Sequence, residues 1–171
     1  MTNNPSIWAR EYLQKGLPSS FRLKPSGIMK MLYEYLSDSK ISLDGKVAVD
    51  LGCGKGRNSF SLINNGIPKV YSIDFVPQLI SQVKNQAKRQ KPENKITAIC
   101  YDLTKHWPIK SHSVDIALDI FCFTHQTDIK DVEFYKRELK RILKPSGLLV
   151  LSLASIKDTY YGTLPKVKIK K

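Results

Sequence analysis

A run of glycines between two acids carries the chemical information in this 171-residue chain. Asp50 is followed by Gly52, Gly54 and Gly56 within the stretch Val47-Ala-Val-Asp-Leu-Gly-Cys-Gly-Lys-Gly-Arg-Asn58. Glycine lets a backbone pass close to a ligand with no Cβ between them. The N–H groups that open the next helix favour an anionic group such as a carboxylate. Asp74 follows at about the 20-residue interval at which a second acid hydrogen-bonds ribose hydroxyls. These residues predict a nucleotide-like ligand at the end of a buried strand.

The same spacing argues against two other chemistries. A dinucleotide loop, Gly-x-Gly-x-x-Gly, needs glycine at position 57, which is Arg57. A phosphate loop of nucleotide hydrolases needs Ser or Thr after Gly-Lys, and Lys55 is followed by Gly56. Hydride transfer and nucleotide hydrolysis are poor fits.

The elements that must position these residues are legible as alternating patterns. Short runs rich in Val, Ile and Leu at 47–51, 69–73, 96–101, 114–120 and 148–154 predict strands covered on both faces, as in a parallel sheet. Helical patterns lie between them. One over 57–65 ends at Gly66, Pro77 opens a second over 78–89, and a third over 131–143 stops at Lys144-Pro-Ser-Gly147. Residues 103–113 contain Pro108 and predict a turn or a helical stub. Upstream, Ile28, Met31, Leu32, Tyr35 and Leu36 form an apolar stripe, and Trp8, Tyr12 and Leu13 suggest a shorter leading helix. The pattern predicts a single α/β domain: N-terminal helices over 1–45, a ligand-binding core over 46–155 and a lysine-rich tail over 156–171.

Cys53, Cys100 and Cys122 have no zinc spacing and read as reduced, buried thiols. The N-terminus has no apolar signal core and no run reaches membrane-spanning length, so a soluble cytoplasmic protein is expected. The net charge of +13 admits two readings: solvated helix faces, or a polyanionic partner such as RNA.

Taken in order, Asp50-Leu-Gly-Cys-Gly-Lys-Gly56, Val70-Tyr-Ser-Ile-Asp74, Cys100-Tyr-Asp102-Leu103, Ser113-Val-Asp-Ile-Ala-Leu-Asp119 and Leu143-Lys-Pro-Ser-Gly-Leu-Leu-Val150 resemble the class I S-adenosylmethionine-dependent methyltransferases. The resemblance covers about positions 25–155. It implies a doubly wound, mostly parallel sheet of strand order 3-2-1-4-5 behind N-terminal helices, with S-adenosyl-L-methionine as cofactor and no metal. Asp50, Gly52, Gly54 and the backbone beside them, Cys53 included, would cradle the methionine part. Asp74 would accept from the ribose hydroxyls, and Phe75 would lie against the adenine. Asp102 would accept from the adenine amine, with Leu103 lining the same pocket. Asp119 would border the methionine part and the substrate entrance.

Each acid also has a structural reading: Asp50 and Asp74 as helix caps, Asp102 as a turn acid, Asp119 as a buried anchor. A base is needed only if the acceptor must lose a proton, and His125 is the best placed candidate, with Tyr12 and His106 behind it. Trp8, Phe121 and Phe123 would shape a pocket or pack the core. Expected is methyl transfer to an unidentified acceptor, with a small molecule favoured. The alternative is a non-catalytic or partner-completed cofactor-binding module that docks RNA through its basic surface. Family members continue past the fifth strand with a helix and an antiparallel pair. The residues after Leu153 are too few for that, so the fifth strand is expected to be an exposed edge. A C-terminally truncated family member, a minimal variant, or a partner chain or second copy that covers the edge would each account for it.

Overall fold

Glycine, proline and polar turn residues separate apolar segments that, in the computed structural model, alternate strand and helix from residue 47 onward, except over 101–113, where turns join two strands. The structure describes residues 5–14, 21–90, 94–126, 128–155 and 157. Two helices lead, α1 (Pro5–Leu13) and α2 (Ile28–Asp38). There follow β1 (Val47–Leu51), α3 (Arg57–Asn64), β2 (Lys69–Asp74), α4 (Pro77–Gln90), β3 (Ile96–Cys100), β4 (Val114–Ile120), α5 (Ile129–Ile142) and β5 (Leu143–Ser152). The strands form one parallel sheet in the order β3-β2-β1-β4-β5, as the resemblance implies. The order reverses between β1 and β4, and ligands of such sheets settle at the carboxyl ends of strands beside that reversal.

Alternation along each strand divides the core in two. Ala48, Val70, Ile116 and Leu118 pack with Leu32 of α2, Phe60 of α3 and Val83 of α4. Val49, Leu51, Ile73 and Ala117 pack on the other face with Trp107 and with Tyr135 and Ile142 of α5. Helix α1 has no buried residue. Its attachment is light.

Residues 103–113 form turns, not a helical stub, and they are held by a charge network. The buried Glu138 of α5 accepts from the Trp107 backbone N–H (2.7 Å) and from Arg141 Nη2 (2.7 Å). Arg141 also donates to the Ile109 (2.7 Å) and Trp107 (3.0 Å) carbonyls. Removing Arg141 strands a buried carboxylate, so Arg141→Ala is expected to lower stability by about 2 kcal/mol, or several degrees in a melt. An unchanged melting temperature would show that this network does not anchor the segment.

Three boundary and burial expectations are corrected. Helix α5 starts earlier, at Ile129, because the Asp128 carboxylate caps it by accepting from Lys130 N (2.7 Å). The strand expected over 148–154 begins at Leu143, directly after α5, and ends at Ser152. Lys144-Pro-Ser-Gly147 lies within a register slip between the Val114–Leu143 and Ile116–Leu148 pairs. An edge strand tolerates a proline there, and Lys144 Nζ ties the slip to Asp115 Oδ2 at 2.7 Å. Cys100, last in β3, is exposed, whereas Cys53 is buried and Cys122 half-buried; all three are free.

Among the described residues nothing pairs with the outer edge of β5, where Leu149 and Leu151 stay exposed. Except for Lys157, the lysine-rich tail lies outside the described residues. None of the described helices is long and apolar enough to cross a membrane, and no described cluster of side chains is suited to hold a metal.

Candidate functional site

Strand β1 leaves the sheet at Leu51 into the glycine loop, whose shape is fixed by two kinds of contact. Gly56 precedes α3 with φ 79°, a left-handed conformation that favours glycine, and a Cβ there would meet Val83 of α4 at 3.0 Å. Glycine thus lets α3 and α4 approach. The loop is also tied to β2. Cys53 N donates to the Ile73 carbonyl (2.9 Å) and Gly54 N to Asp74 Oδ2 (2.9 Å). Asp74 Oδ1 accepts from Val76 N (3.0 Å), so one carboxylate bridges the loop and the turn after β2. Burial pushes the Asp74 carboxyl up from its ordinary pKa, and these backbone donors pull it back.

The carboxyl ends of β2, β1 and β4 surround a cleft of about 140 Å³. Asp74, Phe75, Leu79, Asp102 and Leu103 wall its β2–β3 end, Gly52 and Cys53 its middle, and Phe121, Cys122 and His125 its β4 end. Asp102 Oδ1 accepts from both the backbone N–H and the hydroxyl of Thr104, each at 2.9 Å. Its Oδ2 has no partner among the described residues.

Helix α1 roofs the cleft with two aromatic side chains. The Tyr12 ring lies across Gly54, where a Cβ would fall 2.8 Å from Tyr12 Cε1. Burial pushes the Tyr12 phenol well above its usual pKa. Trp8 meets His125 edge to face, ring centroids 4.5 Å apart. Burial lowers the His125 imidazole pKa, which favours the neutral ring at pH 7.

Next to His125 the backbone is strained. Phe121 has φ 69°, an outlier for a bulky side chain, worth roughly 1–3 kcal/mol. The turn is enforced by Asp119, which accepts from Cys122 N (2.9 Å), Phe123 N (3.0 Å) and the Tyr135 hydroxyl (2.7 Å). Asp119 is fully buried and does not line the cleft.

Of the residues singled out from sequence, Gly52, Cys53, Asp74, Phe75, Asp102, Leu103 and His125 line the cleft. Asp50, Gly54 and Asp119 stand behind its wall. Asp50 is 2% exposed, accepts a 2.6 Å hydrogen bond from the Ser59 hydroxyl, and is pushed by burial to a pKa of about 6. Neither Asp50 nor Asp74 supplies the residue immediately before a helix; for α3 that residue is Gly56. Phe123 packs on Tyr135 in the core, and His106 pairs with Glu138 (3.3 Å) outside the cleft. Sequence reasoning missed Arg22, Arg57 and Asn58 in the wall. The arginine in place of a third dinucleotide-loop glycine was the one available signal.

A family model described as a methyltransferase domain matches residues 49–151. An uncharacterised protein of Methanocaldococcus jannaschii is 26% identical over 166 residues, covering 93% of this chain and 59% of that protein. The tRNA U34 carboxymethyltransferase of Cellvibrio japonicus is 30% identical over 113 residues, or 64% of this chain and 33% of that enzyme. The chain therefore spans less than two thirds of the length of either relative. The solved structure of a SAM-dependent methyltransferase from Aquifex aeolicus superposes with a TM-score of 0.62 at 22% identity, covering 86% of this chain and 71% of that one. At that identity the likeness speaks to the fold alone.

Proposed function

Because this chain belongs to the methyltransferase-domain family, we propose that it binds S-adenosyl-L-methionine in the cleft and passes the methyl group to an acceptor entering beside Trp8 and His125. The observation that carries this reading is the donor set at the β2–β3 end. Two carboxylates, Asp74 and Asp102, flank the apolar Phe75 and Leu103. That arrangement fits an adenosine, whose flat base wants apolar walls and whose hydroxyls and exocyclic amine want acceptors. Asp74 keeps spare lone pairs for ribose hydroxyls, and the free Asp102 Oδ2 accepts from the amine.

The bound sulfonium would supply an electrophilic methyl group. The chain's own part is to bind, align and exclude water. Buried Asp50 and Asp74 set negative charge beside the glycine loop, opposite the cations Arg22, Lys55 and Arg57 of the rim, and a sulfonium seated over that loop is drawn to the acids. Tyr12 covers the space over Gly54, so entry of the methionine part requires α1 to shift. A helix with no buried residue is suited to that. His125, favoured neutral by burial, can accept a proton where the acceptor must lose one.

Calorimetric titration of the chain with S-adenosylmethionine and S-adenosylhomocysteine is the direct test. Both are expected to bind and to raise the melting temperature. If neither binds nor shifts the melt, the reading falls.

A second reading is cofactor binding without turnover in a chain that needs a partner, and the exposed Leu149 and Leu151 on the open β5 edge favour it. It predicts normal cofactor binding and methyl transfer only once that edge is covered. The acceptor class is a separate question. A cleft of about 140 Å³ is of a size for a small acceptor, while a relative named for tRNA supports RNA.

A further inference from the structure

Past the glycine loop the cleft continues into a second cavity of about 550 Å³. Arg22, Lys55 and Arg57 line both, and α4 adds Gln82, Asn85, Gln86 and Arg89 to the second. Its lining holds four cations, four side-chain amides (Gln90 among them) and no acid. None of the four cations makes an ion pair or a hydrogen bond with a described residue.

What sets the group apart is its gathering around one concave space with no acid in the lining, whereas several other basic residues are tied to acids. Lys46 and Lys144 share Asp115, Arg141 holds Glu138, Lys136 pairs with Glu133 and Lys30 with Glu34. Here, by contrast, Arg22 stands close enough to Arg57 to help burial depress its pKa. Asp50, buried behind the cleft, offsets part of the charge on Arg57, but no acid lines this cavity. Like charges gathered around a concave space repel one another, and an anionic occupant removes that repulsion.

We propose that this second cavity seats the phosphate groups of a phosphorylated acceptor, whose reactive end then reaches the cofactor cleft through the shared Arg22–Lys55–Arg57 rim. The proposal rests on the methyl-transfer reading and adds the substrate class. Guanidinium groups bind phosphate oxygens in pairs, and the amides of Gln82, Asn85 and Gln86 add neutral donors. A polynucleotide backbone and a small phosphorylated molecule present the same chemistry.

The test uses the whole chain and two probes: a labelled single-stranded oligoribonucleotide followed by anisotropy, and inorganic pyrophosphate followed by calorimetry. Arg22→Gln and Arg89→Gln are compared with Lys136→Gln, which removes a paired lysine on α5. Each arginine change is expected to weaken binding by roughly tenfold and, for the oligonucleotide, to reduce the salt slope by about one; Lys136→Gln changes neither. Binding of both probes points to a polynucleotide, and binding of pyrophosphate alone to a small phosphorylated acceptor. Failure of both to bind overturns the proposal. So does a loss equal in all three variants, which would mean diffuse surface charge.

S-adenosylmethionine titrated into the same proteins keeps the two readings apart. Cofactor binding with anion binding indifferent to Arg89 overturns only the phosphate seat. Anion binding that depends on Arg89, with no cofactor binding, overturns only the cofactor reading.

Discussion

Asp74→Ala is expected to weaken S-adenosylmethionine binding by about 100-fold and to destabilise the free chain as well. The first effect corresponds to losing two hydrogen bonds to a charged acceptor, roughly 1.5–3 kcal/mol each before solvent and rearrangement reduce it. The second follows from what the carboxylate already holds. Gly54 N and Val76 N donate to its two oxygens at 2.9 and 3.0 Å, and alanine leaves both donors without a partner. Burial opposes the charged form, so the net loss of stability is about 1–2 kcal/mol.

Reading Asp74 from spacing alone predicts weaker binding with the fold intact; the geometry predicts that the glycine loop loosens too. Asp74→Asn separates the effects, because its single carbonyl oxygen can keep only one of the two backbone bonds. Calorimetry and a thermal melt on both variants decide the matter. Unchanged affinity removes Asp74 from the ribose site, and an unchanged melt removes it as the loop's anchor.

What was legible in the chain was whatever a short stretch of residues fixes by itself. The strand runs, the glycine loop and the acids at strand ends are local patterns, and the sheet order follows from the family resemblance those patterns carry. What was illegible depends on partners far along the chain. Asp119 reads equally as a ligand contact or a buried anchor until Tyr135, on α5, is seen to donate to it. Arg22 and Arg89 belong to no motif, and only the folded path that sets Arg22 and Leu23 beside α3 and α4 brings them to one cavity. Tyr12 lies on a helix that buries nothing fully, so its pattern is weak although its ring lies across the glycine loop. Lys-Pro-Ser-Gly147 reads as a helix stop followed by a loop, because the freedom of an edge strand to absorb a register slip leaves no mark in composition. Cys100 sits in an apolar run that suggests burial, yet β3 is the other edge of the sheet.

Asp50→Asn is expected to stabilise the free chain at neutral pH and to alter how cofactor binding depends on pH. Asp50 is buried behind the cleft with the Ser59 hydroxyl as its side-chain partner, and its folded pKa of about 6 lies above the unfolded value near 4. The folded chain therefore holds this proton more tightly. Stability falls as pH rises between about 4 and 6, by roughly 3 kcal/mol once the carboxylate is fully ionised. Asparagine matches the protonated acid in shape and does not titrate. The two proteins should melt alike near pH 4 and diverge above it, with the variant the more stable at pH 7.5. Asp115 and Glu138, whose pKa values are lowered, act in the opposite direction in both proteins and cancel in the difference.

A buried charge this weakly compensated is useful if a cation occupies the cleft, since a nearby positive charge favours the ionised form. S-adenosylmethionine should then bind more tightly at pH 7.5 than at pH 5.5, releasing protons as it binds. Asp50→Asn should flatten that trend, leaving only the part due to Asp74, and S-adenosylhomocysteine, which has no sulfonium charge, should show less of it. Equal pH dependence in wild type and Asp50→Asn would mean that the Asp50 charge does not act on the cofactor and serves only the start of α3 through Ser59.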